Sequence, residues 1–454
     1  MMKVTGEIPP AVGRDRQLSH WVSRLVIAIL FVLAGAAALA PRLMPGNEDA
    51  ARRVAAGSIF AASYIALAIG RVPGLYIDRA GIALVGASLM VASGAIALPE
   101  AYRAIDINTI TLLLGMMILV ANLRISGFFA LATTWVAARA HRPIALLGAV
   151  TVVAGIASAF LVNDAICLVL SPLVIDLTLA LRRNPVPYLL AVAMASNIGS
   201  TATITGNPQN MLVGSFSGLS YPAFAAALAP VAVLGILVAI GLIVALHRAE
   251  FMDRAVIAPK PSHLRVNRPL VLRSLAATAA VIALFFAGQP PAKAAIVIGA
   301  LLLLTRRVKS TRVYAEIDWS LLLMFAGLFV ITAGAGQALL TPRVLAGAAR
   351  LHLENVPILA VITAALSNLV SNVPAVLVIR PFLAGISDPT GAWLTVAMAS
   401  TLAGNLTLLG SVANLIVAEK AAQRGVSIGF AVYARVGLPV TLCTLAIGIA
   451  WLAR

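Results

Sequence analysis

The chain has 454 residues, of which 61% are hydrophobic and only 11% charged, with a mean hydropathy of +1.00. Soluble domains run at about 45–50% apolar and about 25% charged, so a soluble enzyme, a disordered chain and a secreted scaffold are excluded and a polytopic helical membrane protein remains. Lys+Arg 33 against Asp+Glu 16 gives a net charge of +17. No basic stretch is interleaved with aromatics as a nucleic-acid groove requires, so the excess is assigned to short inner-face loops and no nucleic-acid partner is expected.

Residues 1–20 read as a polar, basic cytoplasmic tail without a small-residue cleavage site. A hydrocarbon core about 30 Å thick needs about 20 apolar residues per crossing. Eleven such spans are legible, at 21–40, 54–70, 77–98, 107–123, 188–215, 223–246, 270–288, 293–305, 319–336, 392–417 and 428–451. Two more apolar regions, 143–181 and 355–385, are too long for one span; each is broken by polar residues near its middle and later by Pro172 or Pro381. Both are predicted to be re-entrant hairpins, because polar backbone at membrane depth is tolerated only when buried in protein or lining a cavity. Segments near 127–140 and 338–352 are predicted to be interfacial amphipathic helices.

With the N-terminus inside, Arg248, Arg254, Lys260, Arg265 and Arg268 fall inside, as do Arg306, Arg307, Lys309 and Arg312. The 41–53 loop, with Arg42, Arg52 and Arg53, is the exception among the outer loops. The positive-inside rule therefore predicts a cytoplasmic N-terminus and an outer C-terminus. The expected location is a plasma (inner) membrane of bacterial type.

The chain contains itself twice. VAMAS occurs at Val192–Ser196 and at Val396–Ser400, and Thr203–Asn210 faces Thr407–Asn414 at the same offset of 204. Ser158, Asn163 and Pro172 face Ser367, Asn372 and Pro381 at an offset of 209, and the helix led by Asp106 resembles the one led by Asp318. Asp106 begins its helix outside and Asp318 inside, so the halves are read as inverted. The expected organisation is a scaffold over 21–105, a first inverted repeat over 106–246, a basic loop with two linking helices over 247–317, and a second inverted repeat over 318–454. Inverted repeats with discontinuous helices build one midplane site in many secondary transporters.

Asn163 and Asp164 lie where the first hairpin is deepest. A carboxylate there is costly unless paired, hydrated or protonated, so Asp164 with Asn163 is the candidate for proton or cation coupling. The alternative is an Asp that caps the second hairpin helix. The candidate solute ligands are Ser158 in the first hairpin and Ser367, Asn368, Ser371 and Asn372 in the second. The broken helices add Asn197, Ser200, Thr201, Thr203, Asn207 and Asn210, and Thr401, Asn405, Thr407, Ser411 and Asn414. Small residues alone would mean close packing, but the amides and Pro208 argue for unwound backbone. Arg380 either meets an anionic solute or snorkels to the outer interface, and Asp176 either relays protons or sits at the interface with Arg182 and Arg183. Cys167 and Cys443 sit in apolar stretches and suggest neither disulfide nor zinc site. No metal cofactor is expected. No G-x-x-x-x-G-K-[ST] loop is present, so an ion gradient, H⁺ or Na⁺, is the expected energy source.

Four stretches carry a resemblance: DINTITLLLGMMILVANLRISGFF from Asp106, the hairpin with Asn163-Asp164, Asn197–Met211 with its GNPQN, and SNLVSNVP from Ser367. The chain resembles the ion transporter superfamily, and most closely its arsenite-permease branch, with silicon-efflux transporters and the melanosomal P protein. Sodium/proton antiporters of the NhaD type and citrate and dicarboxylate permeases are more distant relatives. The resemblance implies an all-α fold of about eleven transmembrane helices with two re-entrant hairpins, a homodimer and an elevator-like motion. The carboxylate permeases carry paired Ser-Asn-Thr motifs at the hairpin tips; here Asn163-Asp164-Ala165 and Ser371-Asn372-Val373 stand there without the Thr. The expected function is proton-coupled antiport, as efflux, of a small metalloid hydroxide or oxyanion such as arsenite, antimonite or silicic acid. The alternatives are a sodium/proton antiporter and sodium-coupled import of an inorganic or di/tricarboxylate anion. No enzymatic activity is expected.

Overall fold

The computed structural model describes residues 27–40, 42, 44–69, 75–139, 142–252 and 267–454. The predicted tail 1–20 and the loop cations Arg254, Lys260 and Arg265 lie outside the described residues. Helices follow in the order α1 (Ile27–Ala40), α2 (Glu48–Ile69), α3 (Arg79–Ala92), α4 (Leu98–Ala104), α5 (Ile107–Ser126), α6 (Phe128–Arg139), α7 (Pro143–Phe160) and α8 (Asn163–Ala180). They continue with α9 (Pro185–Ser200), α10 (Pro208–Ser217), α11 (Tyr221–Leu246), α12 (Arg248–Met252), α13 (Arg268–Phe286), α14 (Pro291–Leu303), α15 (Ser310–Tyr314) and α16 (Trp319–Leu339). The last are α17 (Pro342–Ala349), α18 (Val356–Val370), α19 (Asn372–Ile379), α20 (Pro389–Ala403), α21 (Val412–Ala422) and α22 (Phe430–Leu452). No strand occurs among the described residues. The all-α polytopic class expected from composition is the class observed. Eight of these helices have the length and apolar composition to cross a membrane, and the shorter apolar ones include α1, α3, α14 and α18.

Side chains start and stop these helices. Asp78, Asp106, Asn184, Asn207, Ser220, Asn267, Asn355, Asp388 and Ser411 each accept a backbone N–H at a helix start, relieving donors that the helix leaves unpaired. Gly127 and Gly218 end α5 and α10 in the left-handed region, which residues with a side chain rarely adopt.

The chain forms two compact units. One holds the N-terminal part through Ile105 with Leu323–Thr341, hence α2–α4 and most of α16. In it the Arg52 guanidinium donates to the Ala95 carbonyl (2.9 Å) and to Gln337 (3.2 Å). The other unit runs over Asp106–Leu322 and Pro342–Arg454 and contains both hairpins and both broken helices. There α7 packs along α9 so closely that a Cβ on Gly199 would collide with the Gly155 backbone.

Candidate functional site

The two hairpins turn differently. Leu161 and Val162 connect α7 to α8 in ordinary extended conformations. Ser371 alone connects α18 to α19, at φ 80° and ψ 159°, a backbone region that side chains other than glycine's rarely occupy. Both tips are stapled to a broken helix. The Asn163 N–H donates to the Gly206 carbonyl (3.0 Å) in the gap between α9 and α10. The Asn372 amide donates to the carbonyl of Gly410 (3.2 Å) in the gap between α20 and α21, and to Ser400 (3.3 Å) and the Ser367 hydroxyl (2.6 Å).

The gaps have local causes. Gly206 folds against the Ser200 backbone where no Cβ fits, and Pro208 lacks the N–H that would continue α9. The Asn207 side chain then restarts the helix by accepting from the Asn210 N–H (2.8 Å). In the second half Ser411 does the same for Ala413 (3.3 Å).

Between the gaps lies a buried network of neutral amides and hydroxyls. Asn197, 1% exposed, is its centre: its amide donates to Asn405 (2.9 Å) and Asn414 (3.1 Å), and its oxygen accepts from Asn163 (3.0 Å) and Ser411 (3.2 Å). Thr401 is the second node, receiving Asn207 and Gln209 (3.2 Å each) and donating to Asn210 (3.2 Å). Ser200 accepts from Asn207 (2.9 Å). Thr203 donates to the Ala159 carbonyl in the last turn of α7. Every buried polar side chain among the described residues is uncharged; asparagine, glutamine, serine and threonine make up the network.

Among the described residues, four hairpin atoms are buried without a hydrogen-bond partner: Ser158 Oγ, Asn163 Oδ1 and Asn368 Oδ1 near the tips, and Thr363 Oγ1 a turn further from the tip in α18. The Asn368 amide nitrogen is satisfied by the carbonyls of Ala364 (3.1 Å) and Ala403 (3.0 Å), and its oxygen faces Gly410. Buried acceptors left without a donor are costly, and each of these atoms can still accept a hydrogen bond.

The network gathers Asn163, Asn197, Ser200, Asn207, Asn210, Ser367, Asn372, Thr401, Asn405, Ser411 and Asn414. Thr201 bonds within its own helix, to the Asn197 carbonyl (3.1 Å). Thr407 contributes its carbonyl, to Asn414 (3.1 Å). Ser371 forms the strained tip. Asp164 stands apart. It is half-buried, second residue of α8 rather than its cap, and lines a separate cavity of about 100 Å³ with Arg124, Glu316 and Asp318. Arg124 and Glu316 are paired there at 2.5 Å. Asp176 pairs with Arg424 (2.9 Å), and the Arg380 guanidinium stacks 3.8 Å above the Phe216 ring. Cys167 is buried, its thiol 3.0 Å from Ser196 Oγ. Arg124, Glu316 and Tyr221 are site neighbours that sequence reasoning did not single out. Glu316 and Tyr221 sit among ordinary interface and aromatic residues, and only the repeat's Asp-led helices hinted at that region.

Comparison with known proteins shows the family and the fold. Residues 64–403 match the citrate transporter family CitMHS. The silicon efflux transporter LSI3 of Oryza sativa subsp. japonica is 29% identical, over 87% of this chain and 97% of its own length. The putative transporter arsB of Dictyostelium discoideum is 25% identical over 83% of this chain and 87% of its own. Among solved structures, the YdaH transporter of Alcanivorax borkumensis shares the fold with a TM-score of 0.52 at 17% identity, covering 76% of this chain and 84% of that one.

Proposed function

The chain belongs to the citrate transporter family and is an integral membrane transporter, not an enzyme; within that family we propose that it is a proton-coupled antiporter exporting a small metalloid hydroxide, such as arsenite, antimonite or silicic acid. One observation carries this reading: the unpartnered groups at the hairpin tips include two amide oxygens, Asn163 Oδ1 and Asn368 Oδ1, set in a network without a buried charge. Amide oxygens only accept. A neutral metalloid hydroxide supplies several O–H donors to them. A fully ionised di- or tricarboxylate supplies none, and would have to shed its hydration without a buried cation in return. The names of LSI3 and arsB point the same way.

Asp164 is the proton carrier in this reading, facing its own cavity beside the network. The reading also takes the two halves as inverted repeats, the N-terminus as cytoplasmic in a bacterial-type plasma membrane and the protein as a homodimer. The loop charges support the orientation, and the resemblance supports the dimer.

The test is proton movement in proteoliposomes, evoked by arsenite or silicate, with and without sodium, in wild type and Asp164→Asn. Solute-evoked proton flux that disappears in the variant is expected. The same two amide oxygens suit Na⁺, an oxygen-seeking cation, so a flux evoked by sodium alone assigns the protein to sodium/proton exchange. Silence with both, together with sodium-dependent uptake of labelled citrate or sulfate, overturns the proposal.

A further inference from the structure

A second cavity in the same unit, of about 380 Å³, lies where α5 begins, beside the α10–α11 and α13–α14 turns. Asn108, Ser215, Ser220 and Gln289 give its walls amides and hydroxyls, and no residue lining it carries a charge. Ile204, from the gap between α9 and α10, reaches its edge. Gly214 makes this possible, since a Cβ there would meet the Ile204 side chain at 2.7 Å.

A line of hydroxyls runs from the cavity to Thr203, whose carbonyl accepts from Asn210 of the network (2.9 Å). Tyr221, 3% exposed, forms part of its lining, with its ring held against Phe285 (centroids 5.0 Å apart). Its hydroxyl bonds to Thr205 (2.8 Å), which bonds to Thr203 (3.4 Å), which donates to the Ala159 carbonyl. Ala159 adjoins Ser158, whose hydroxyl has no partner. Three buried hydroxyls therefore run from the cavity to the tip of the first hairpin. Hydroxyls both donate and accept, so the line can exchange its bonds for those of a solute that does the same.

We propose that this cavity is an outer binding site for an uncharged, multiply hydroxylated solute, joined to the network by Tyr221, Thr205 and Thr203. The inference rests on the proposed metalloid-hydroxide function and adds a second site to it. The uncharged lining selects against anions, which would lose hydration there without a counter-charge. With the N-terminus cytoplasmic, as proposed above, the start of α5 faces outward, so an exported solute reaches this cavity after the network.

The test measures exchange of radiolabelled arsenous acid and of silicic acid in right-side-out and inside-out vesicles. Tyr221→Phe keeps the ring stack and removes the hydroxyl; Thr205→Val breaks the line and Thr205→Ser restores it. Loss of one buried neutral hydrogen bond predicts a rise of about fivefold in the half-saturating concentration at the outer face, with the inner-face value unchanged and Thr205→Ser like wild type. Equal changes at both faces, or none, overturn the outer site while leaving solute exchange intact. If wild type exchanges neither solute, the transport reading itself fails and the outer site with it.

Discussion

Asn210 and Asn414, 204 positions apart, make the same bonds in the two halves of the protein. The Asn210 amide donates to the carbonyls of Ser200 (3.0 Å) and Thr203 (2.9 Å), and that of Asn414 to Gly404 (2.7 Å) and Thr407 (3.1 Å), the same residues shifted by 204. Their oxygens are exchanged across the halves. Thr401 donates to Asn210 (3.2 Å), Asn197 donates to Asn414 (3.1 Å), and Thr401 and Asn197 are again 204 apart. Reciprocal contacts of this kind are what an approximate two-fold axis produces. The unwound backbone of each half is thus held by its own asparagine and tied to the other.

Replacing either asparagine by leucine removes the donor from two carbonyls, buried except for the half-buried one of Thr407. An unsatisfied buried acceptor costs about 1–3 kcal/mol, so Asn210→Leu and Asn414→Leu, each orphaning two, are expected to destabilise the protein by about 2–6 kcal/mol. Thermal melting of detergent-purified protein reads this. The two losses should be similar; a large loss at one position and none at the other would break the equivalence of the halves.

Ser371 pays a conformational cost at the second hairpin tip. Its φ of 80° and ψ of 159° form a conformation open to glycine and worth about 1–3 kcal/mol of strain in other residues. Ser371→Gly is expected to raise thermal stability by about 1 kcal/mol, and Ser371→Val to lower it. Solute exchange is the second readout. If the serine hydroxyl touches the solute, the glycine variant melts higher yet transports more weakly; if Ser371→Gly melts lower than wild type, the strain is not there to relieve.

The helices, the hairpins and the gaps were legible from sequence because each leaves a mark along the chain. The hairpin expected over 143–181 is α7 and α8, and the one over 355–385 contains α18 and α19. Pro208, Gly206 and Asn207 marked one gap; the offset of 204 marked the other. What lies across from each residue was not legible. A helix such as α11 is apolar all the way round, so periodicity does not reveal its neighbours. Asn163 and Asp164 show the consequence. They are adjacent in sequence, and successive helical residues point about 100° apart. Asn163 enters the amide network, and Asp164 faces Arg124 and Glu316. The chain separation of Tyr221 from the hairpin tip hid the hydroxyl line in the same way.

His247, the C-terminal cap of α11, lies beyond the span and carries a sign that can be tested. Burial pushes its imidazole below the ordinary value of 6.5, and Arg435 nearby acts in the same direction. A histidine depressed in the folded state protonates first in the unfolded one. Stability is therefore retained above 6.5 and falls as the pH drops from 6.5 to the folded value. His247→Gln removes this contribution. Its melting temperature, compared with wild type between about pH 7.5 and about pH 5, should hold up better on the acid side. Parallel curves would show that the imidazole is not depressed.

Two carboxylates in the first hairpin, Asp164 and Asp176, were both candidates for carrying protons, and their surroundings now separate them. Asp176 is 61% exposed at its side chain and bound to Arg424 (2.9 Å). An exposed pair contributes about 0.2–1 kcal/mol, and salt weakens it. Asp176→Asn is expected to cost stability in that range, less at high salt, and to leave solute-evoked proton flux at wild-type level. Asp164 lines a small cavity whose other polar groups are Arg124, Glu316 and Asp318. Asp164→Asn should abolish proton movement while solute exchange between equal concentrations on the two sides persists, because the amide network is untouched. Proton flux retained in Asp164→Asn and lost in Asp176→Asn would move the coupling step out of the α8 N-terminal turn to the ion pair with Arg424.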